Sequence, residues 1–277
     1  MEKIRNLLKS GTNLLKNFST TPALDASILL SYALNFSKED LLLKSELLVK
    51  PDLFYSFIER RKLYEPIAYI IGEKEFYGIN FEINNSVLIP RPETEFLTES
   101  LIEIVTQHYP NGCNVSEACT GSGCVIISAL LNLPKNVKAK GFEISEKALE
   151  LSKKNAQKLL KNYNLKFILQ DITKEDFEFE GDILVSNPPY ISNEDYKNLE
   201  LNVLNYEPKI ALIGGDDGLF FYNIIAKKAK NIRFILLEIG QNQEEEIKKI
   251  FENKGFFLKN YKKDLNQIIR CLIFEKL

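Results

Sequence analysis

The feature that most constrains the fold is a regular alternation of strand-like and helix-period segments that begins near residue 91. Helices are predicted at 93–108, 123–132, 145–161, 218–230 and 242–254. Strands are predicted near 113–118, 137–143, 165–171, 181–186 and 232–239, and two terminal strands near 256–261 and 267–274. Such alternation is typical of an open, doubly wound α/β sheet, which places ligands at the carboxyl edge of its strands.

Two shorter segments precede this α/β domain, which we assign to 91–277. Residues 1–74 carry leucine and isoleucine at helical spacing, including one predicted helix over 41–48, and the prolines of Thr21-Pro22 and Lys50-Pro51 stand where helices could begin. This pattern predicts a small helical bundle. Between 75 and 90 apolar residues alternate around Asn84-Asn85-Ser86, which indicates a β-hairpin linker.

Charge and apolar runs exclude several classes of protein. The chain has 36 Lys and Arg against 38 Asp and Glu, a net charge of -2, so it lacks the strong positive charge of a sequence-independent nucleic-acid binder. We expect no stable nucleic-acid binding. The helical segment is mildly basic, which favours it as the docking surface for an acidic partner. The sequence has neither an 18-residue apolar run nor an apolar export signal, which predicts a soluble cytoplasmic protein without a membrane partner.

The histidine and cysteine content narrows the chemistry further. The single histidine, His108, closes an apolar helical run, where we expect a cation against the last carbonyl groups of the helix. A catalytic triad that uses histidine, or a histidine-ligated metal site, would have to depend on this one residue. We therefore expect no metal. The four cysteines contain no C-x-x-C pair, which suits reduced, buried thiols.

A turn rich in small residues follows the first strand of the α/β domain. It consists of Cys119, Thr120, Gly121, Ser122 and Gly123. Glycine lets a ligand approach the backbone, and the free N–H groups at the start of the next helix can face a phosphate or a carboxylate. The turn is therefore a candidate cofactor site.

Acidic residues end the next two predicted strands. Glu143 stands twenty residues after Gly123, where a carboxylate can accept both hydroxyls of a ribose. Asp171 closes the third strand and Ile172 follows it, positions that could meet the amino group and the face of an adenine. Two alternatives stay open here: a tight turn with two solvated acids, or a nicotinamide dinucleotide site, although Ile126 occupies the position expected for the third glycine.

The fourth strand ends in Asn187-Pro188-Pro189-Tyr190. Prolines fix φ and donate no N–H, so this turn presents carbonyl groups in a rigid arrangement. The side-chain oxygen of Asn187 and the carbonyl of Pro188 could each accept one hydrogen of a planar NH2 group, and the ring of Tyr190 could contact its flat face. Holding both hydrogens aims the nitrogen at an electrophilic carbon and favours the positive charge that develops during attack, without a prior general base.

Together these segments resemble the release-factor glutamine methyltransferases (the HemK/PrmC family) over nearly the whole chain. The matching segments are Glu65-Pro66-Ile67-Ala68-Tyr69-Ile70-Ile71-Gly72, Glu75-Phe76-Tyr77, Leu88-Ile89-Pro90-Arg91-Pro92-Glu93-Thr94-Glu95, Thr120-Gly121-Ser122-Gly123, Ser186-Asn187-Pro188-Pro189-Tyr190, Tyr206-Glu207-Pro208, Ala211-Leu212, Gly214-Gly215-Asp216-Asp217-Gly218-Leu219 and Leu237-Glu238-Ile239-Gly240.

The resemblance implies a class I methyltransferase fold that uses S-adenosylmethionine and releases S-adenosylhomocysteine. It implies methylation of the side-chain amide of the glutamine in the Gly-Gly-Gln loop of class-I peptide-chain release factors, hence a role in translation termination, with the helical segment recognising the protein substrate. Carried over by position, Asn187 to Tyr190 hold the amide, with Asn187 and Pro188 as catalytic groups. Thr120 to Gly123, Glu143, Ile172 and Asn187 line the cofactor site, to which we add Cys119 as part of the turn and Asp171 on the spatial argument above.

The chain departs from the family at the small-residue turn. The family usually has Asp-x-Gly-x-Gly-x-Gly, and here the acid is Glu117 and the first glycine is Cys119. If this position needs a positive φ, a cysteine costs about 1 kcal/mol. We expect cofactor binding to survive because Cys119 is small.

Several readings stay open at this stage. Arg91, Glu93 and Thr94 suit either an active-site role or an ordinary helix start, and Asp216-Asp217-Gly218 suits a turn and helix cap. Two other functions compete with the glutamine methyltransferase: methylation of an exocyclic amine of adenine or cytosine in nucleic acid, and a non-catalytic cofactor-binding adaptor, which Cys119 motivates. The intact Asn-Pro-Pro-Tyr turn argues against the adaptor.

Overall fold

The computed structural model describes residues 1–276, which form two compact units. The first unit is Met1–Glu73 with Glu200–Tyr206, and the second is Lys74–Leu199 with the described part of Glu207–Leu277. The hairpin that the sequence analysis treated as a linker therefore falls within the second unit, and the short segment 200–206 falls within the first.

The first unit is a bundle of short helices around an apolar core. Its core holds Ile4, Leu7, Leu29 and Phe54 among others. The helices are α1 (Ile4–Leu15), α2 (Pro22–Leu34), α3 (Lys38–Leu43), α4 (Asp52–Lys62), α5 (Ile67–Ile71) and, later in the chain, α9 (Leu201–Tyr206). Pro22 is the first residue of α2, as expected of a residue that lacks an N–H. The hydroxyl of Tyr206 donates to the carbonyl of Leu63 at 2.8 Å and ties α9 to this bundle.

The helix predicted over 41–48 is wrong in its second half. Helix α3 ends at Leu43, and Leu48–Val49 (β2) pairs with Glu2–Lys3 (β1) as two short antiparallel strands. The backbone N–H groups of Ile4 and Arg5 donate to carbonyls of Leu47 and Ser45 at 3.1 and 3.0 Å. These carbonyls satisfy the first donors of α1, which have no partner within their own helix, and this long-range pairing overrides the local leucine spacing.

A two-stranded hairpin, β3 (Glu73–Phe76) and β4 (Ile79–Glu82), lies in the second unit except for its first residue. The alternation of apolar residues predicts a hairpin around residues 84–86, which is wrong. The turn lies at Tyr77 and Gly78, whose φ angles are 53° and 71°, and two positive φ values are typical of the tightest hairpin turns. Asn84 forms a separate turn in which its side-chain oxygen accepts from the N–H of Ser86 at 2.9 Å.

A seven-stranded sheet forms the centre of the second unit. Its strands are β5 (Asn114–Ala118), β6 (Lys138–Glu143), β7 (Asn164–Leu169), β8 (Ile183–Ser186), β9 (Phe234–Glu238), β10 (Phe256–Lys263) and β11 (Ile269–Lys276). Their order is β10-β11-β9-β8-β5-β6-β7. Strands β5 to β9 run parallel, and β11 is antiparallel to both β9 and β10. This order confirms the predicted doubly wound α/β sheet.

Helices connect and cover these strands. They are α6 (Glu95–His108), α7 (Cys124–Asn132), α8 (Glu146–Leu159), α10 (Phe220–Lys228) and α11 (Glu244–Glu252), close to their predicted positions. Side chains of α10 and α11 pack with the sheet in one apolar cluster that includes Leu184, Tyr222, Ile235 and Phe251. Among the described residues, none of the helices combines the length and the apolar character needed to cross a bilayer.

His108 lies at the end of α6 as expected, but not as a cation. Its ring packs on Phe234 with the ring centres 4.8 Å apart. Burial, followed by the positive charges of Lys259 and Arg233, lowers the pKa of His108 below 6.5. The neutral imidazole is therefore favoured at neutral pH, and the expected charge at this helix end is corrected.

Candidate active site

The site lies at the topological switch point of the sheet, where successive strands change from one side of β5 to the other. Strand β5 pairs in parallel with β6 on one side and with β8 on the other, so the turns after these strands meet at one edge. A cavity of about 340 Å³ opens there. Nine of the predicted site residues line it: Cys119, Thr120, Gly121, Ser122, Glu143, Asp171, Ile172, Asn187 and Pro189.

Three predicted site residues do not line this cavity. Gly123 directly precedes α7, behind the turn, with a φ of 78°. Pro188 is buried between two residues that do line the cavity. The half-buried ring of Tyr190 packs against the apolar cluster of α10 and α11, rather than standing in the cavity wall.

The small-residue turn is strongly bent. Cys119 and Gly121 have φ angles of 58° and 53°, in the left-handed region that favours glycine. The space beside the α-carbon of Gly121, where a Cβ would stand, is open. A ligand in the cavity can therefore touch the backbone at Gly121.

Glu143 anchors this turn as well as lining the cavity. Its Oε2 accepts from the N–H of Gly121 at 2.9 Å, and its Oε1 accepts from the N–H groups of Ile144 and Ser145, both at 2.9 Å. A carboxylate offers about four acceptor positions, so three are taken by backbone groups. One acceptor position remains for a group that enters the cavity.

Asp171 and Ile172 form the far wall of the cavity. The Oδ1 of Asp171 accepts from the N–H and the hydroxyl of Thr173 at 2.9 and 2.7 Å, and these bonds lower the pKa of Asp171. The carboxylate is thus charged and held in place, with Oδ2 left to accept from a ligand. Ile172 is 5% exposed and offers an apolar surface beside it.

Glu117 is a cavity residue that the sequence analysis noted only as a departure from the family pattern. It is 4% exposed and accepts a hydrogen bond from the hydroxyl of Thr120. Burial raises the pKa of Glu117 to about 8, and the nearby charge of Glu143 adds to this shift. Burial therefore shifts this carboxyl group towards its protonated form.

Asn187 is oriented by a residue from the start of α6. Its Nδ2 donates to the hydroxyl oxygen of Thr94 at 3.2 Å, which leaves its side-chain oxygen as a free acceptor beside the cavity. Thr94 lies both at a helix start and at the cavity: it closes the short 3-10 turn Pro92–Thr94 before α6, and it lines the cavity.

The Asn-Pro-Pro-Tyr loop is braced on its other side. The carbonyl of Tyr190 accepts from Nε2 of Gln243 at 3.1 Å, and the N–H of Gly214 donates to the carbonyl of Ile191 at 2.9 Å. A Cβ on Gly214 would stand 2.5 Å from the carbonyl oxygen of Pro189, so this close approach requires glycine. The loop therefore has little freedom to move.

The remaining segments singled out from sequence have structural partners. Arg91 forms an ion pair with the buried carboxylate of Glu207 at 2.5 Å, and Glu207 also accepts from the N–H of Ile89 at 3.2 Å. Asp217 accepts from the N–H of Leu219 at 2.9 Å, which confirms a turn just before α10. The expected helix cap is wrong, because the N-cap residue of α10 is Leu219 and no side chain caps this helix. Ile210, Phe220 and Phe221 add an apolar part of the cavity wall that sequence reasoning missed.

The assembled site can hold two kinds of group. One part offers the open backbone at Gly121 and the carboxylates of Glu143 and Asp171 to a polar ligand with hydroxyl and amino groups. The other offers the oxygen of Asn187 to the hydrogens of a planar NH2 group. Both lie in one cavity, which suits a transfer between two bound molecules.

Two family models match parts of this chain. Residues 6–72 match the PrmC N-terminal domain and residues 93–212 match the methyltransferase small domain. A release factor glutamine methyltransferase from Clostridium acetobutylicum is 36% identical over 259 residues, covering 90% of each chain. The chain belongs to the release factor glutamine methyltransferase family.

Longer proteins also match. A bifunctional methyltransferase from Rickettsia bellii is 35% identical over 311 residues, which are 98% of this chain and 55% of that protein. The chain thus spans about half the length of such relatives. Among solved structures, the hMettl16 catalytic domain has a TM-score of 0.56 at 15% identity, covering 73% of this chain and 77% of that one, a likeness that shows the shared fold alone.

Within the release factor glutamine methyltransferase family, Cys119 is the departure with a structural consequence. Its φ is 58°. At such a positive φ a cysteine costs about 1 kcal/mol relative to glycine. Burial strongly raises the pKa of its thiol, so the side chain stays uncharged. This uncharged side chain is one of those that line the cavity.

Replacing Cys119 tests this strain. We expect Cys119→Val to lower the free energy of unfolding by about 1–3 kcal/mol, because a β-branched residue is poorly accommodated at positive φ. Cys119→Gly should stay within about 1 kcal/mol of the wild type, since glycine relieves strain but loses apolar contact. Urea unfolding of the three proteins measures the difference. Equal losses in both variants would contradict the account of a strained backbone.

Proposed function

We propose that this protein transfers a methyl group from S-adenosylmethionine to the side-chain amide nitrogen of the glutamine in the Gly-Gly-Gln loop of class-I peptide-chain release factors. The observation that carries the proposal is the orientation of Asn187, whose NH2 group is held by Thr94 and whose oxygen stays free beside the cavity. The relatives named release factor glutamine methyltransferase support the choice of substrate.

The cofactor is assigned to the part of the cavity between Gly121 and Asp171. The open space beside Gly121 fits close backbone approach, and Glu143 can accept from ribose hydroxyls. Asp171 and Ile172 suit the amino group and the face of an adenine, and Cys119, Thr120 and Ser122 complete this wall. When bound, S-adenosylmethionine supplies an electrophilic methyl carbon.

The substrate amide is assigned to the Asn-Pro-Pro-Tyr end. An amide nitrogen is a weak nucleophile because its lone pair is delocalised into the carbonyl group. Asn187 Oδ1 and the carbonyl of Pro188 accept the two hydrogens, which aims the nitrogen and stabilises the positive charge that develops on it. Once the nitrogen is cationic, its proton can leave to solvent. The reaction therefore needs no general base to remove the proton before the attack.

Partner and location follow from the same assignment. The first unit, a helical bundle that matches the PrmC N-terminal domain, is the part we assign to recognition of the release factor. Release factors act on ribosomes, so we place the protein in the cytoplasm. The chain spans about half of the bifunctional relatives, and the proposal concerns the activity of this half.

Cofactor binding is tested by calorimetry with S-adenosylmethionine. We expect wild-type protein to bind it and Glu143→Gln to bind about 10- to 100-fold more weakly, because charged hydrogen bonds of about 1.5–3 kcal/mol are lost. Glu146→Gln is the matched control, since Glu146 is exposed in the first turn of α8, and its affinity should equal that of the wild type. The absence of heat with wild-type protein would reject the cofactor.

Methyl transfer is tested by mass spectrometry of a release factor incubated with enzyme and S-adenosylmethionine. We expect a single methyl group on the glutamine of the Gly-Gly-Gln loop. Asn187→Ala should slow single turnover about 100- to 1000-fold, as expected for the loss of one oriented partner of the transition state. The exposed Asn132 provides the control Asn132→Ala, which should keep the wild-type rate.

The same experiment separates the competing functions. An unmodified glutamine with labelled RNA or DNA would point to an exocyclic amine of a nucleobase. Cofactor binding without transfer to release factor or nucleic acid would point to an adaptor. An unchanged rate in Asn187→Ala would remove the role assigned to Asn187.

A further inference from the structure

Asn155 is a fully buried polar side chain that the proposed mechanism does not use. It lies on α8 and is 0% exposed. Its Oδ1 accepts from the N–H of Glu82 at 2.9 Å, and its Nδ2 donates to the carbonyls of Glu82 and Ser122 at 3.1 and 3.0 Å. Asn155 therefore joins the end of β4 to the small-residue turn that lines the cavity.

The backbone of Glu82 fixes the direction in which the Asn155 amide points. An N–H group needs an acceptor and a carbonyl needs a donor, so the amide turns its oxygen to the first and its NH2 group to the second. One hydrogen of this NH2 group binds Glu82, and the other is left for Ser122. A flipped amide would place its oxygen against two carbonyl oxygens, which is repulsive.

The hydrogen bond from this amide to Ser122 fixes a peptide group of the turn at both ends. The carbonyl of Ser122 and the N–H of Gly123 belong to one planar group, and that N–H donates to the carbonyl of Thr120 at 2.9 Å. The peptide group of Thr120 and Gly121 is also held at both ends, because the N–H of Gly121 donates to Glu143 at 2.9 Å. The shape of the turn thus depends on side chains outside it.

The turn needs this support because its backbone conformation is unfavourable by itself. Cys119, Gly121 and Gly123 have φ angles of 58°, 53° and 78°. A cysteine is strained in this region, and a glycine loses much conformational freedom when it is fixed there. Without the bond to Ser122, a cofactor that approaches the backbone at Gly121 would have to order the turn as it binds, which lowers affinity.

We propose that Asn155 is a positioning residue that holds the small-residue turn in its cofactor-binding conformation through the carbonyl of Ser122. Its effect on affinity rests on the proposed function, because S-adenosylmethionine is the cofactor assigned to this cavity. The conformation of the turn is a property of the unliganded protein and can be measured without the cofactor.

Calorimetry and steady-state kinetics provide the first test. We expect Asn155→Asp and Asn155→Leu each to bind S-adenosylmethionine about tenfold more weakly, the effect of one hydrogen bond of ordinary strength. Asn155→Asp keeps the acceptor for Glu82 and loses the donor for Ser122, whereas Asn155→Leu loses both. The KM for S-adenosylmethionine should rise by the same factor, while kcat at saturating cofactor stays within about twofold of wild type.

Two control variants separate positioning from loss of stability. Phe251→Leu shortens a fully buried side chain of α11, a helix that contributes nothing to the cavity lining. It should lower the urea midpoint of unfolding and keep the affinity within about twofold of wild type. Glu82→Gln weakens the ion pairs of Glu82 with Lys154 and Lys158 at 2.5 and 3.5 Å, and it keeps the backbone groups that bind Asn155. It should also keep the affinity.

Hydrogen exchange, followed by nuclear magnetic resonance, tests the turn without any cofactor. In the wild type both NH2 hydrogens of Asn155 should exchange at least about tenfold more slowly than those of the exposed Asn162, because each is held in a buried hydrogen bond. In Asn155→Asp the backbone N–H groups of Gly121 and Gly123 should exchange at least about tenfold faster than in the wild type. Should neither variant fold, the comparison within the wild type still decides the proposal.

The outcomes distinguish this proposal from the proposed function. If the wild type shows the slow exchange but binds no S-adenosylmethionine, the proposed function fails and the role of Asn155 in holding the turn stands. Three results would overturn that role: wild-type affinity in Asn155→Asp and Asn155→Leu, an equal loss of affinity in Glu82→Gln and Asn155→Asp, or NH2 hydrogens of Asn155 that exchange as fast as those of Asn162.

Discussion

Parallel pairing of β5 with both β6 and β8 is the constraint on which the site depends. It places Ala118 opposite Phe142 on one side and Ser186 on the other. The turns that follow these strands must then leave the sheet side by side. Glu143, the small-residue turn and the Asn-Pro-Pro-Tyr loop are far apart in sequence, and this pairing brings them to one cavity.

Several features of the site are unfavourable for stability but hold acceptor oxygens in fixed positions. Cys119 holds a left-handed backbone conformation, and Glu117 and Glu238 are buried carboxyl groups whose pKa values are raised to about 8 and about 7. Each of these features is unfavourable by itself. The fully buried strands β8 and β9 around them supply the compensating apolar contact. Strain and burial at a functional edge are thus supported by an apolar core directly behind it.

The sequence was sufficient to predict the sheet, most helices and nine of the cavity residues, because strand and helix periods are local and the chemistry follows strand ends. The prediction failed where distant backbone groups compete with the local pattern, as in residues 45–48, which pair with β1 and the start of α1. The predicted position of the hairpin turn is wrong because Tyr77 adopts a positive φ. A tyrosine gives no sign of this conformation in the sequence.

The central claim is that the oxygen of Asn187 and the carbonyl of Pro188 grip the two hydrogens of a substrate amide. A crystal structure of the protein with S-adenosylhomocysteine and a glutamine-containing release-factor peptide tests it directly. We expect the amide nitrogen within about 3 Å of both oxygens, the ordinary length of such a hydrogen bond, and facing the sulfur. An amide nitrogen bound to other groups, with those two oxygens turned away from it, would contradict the account.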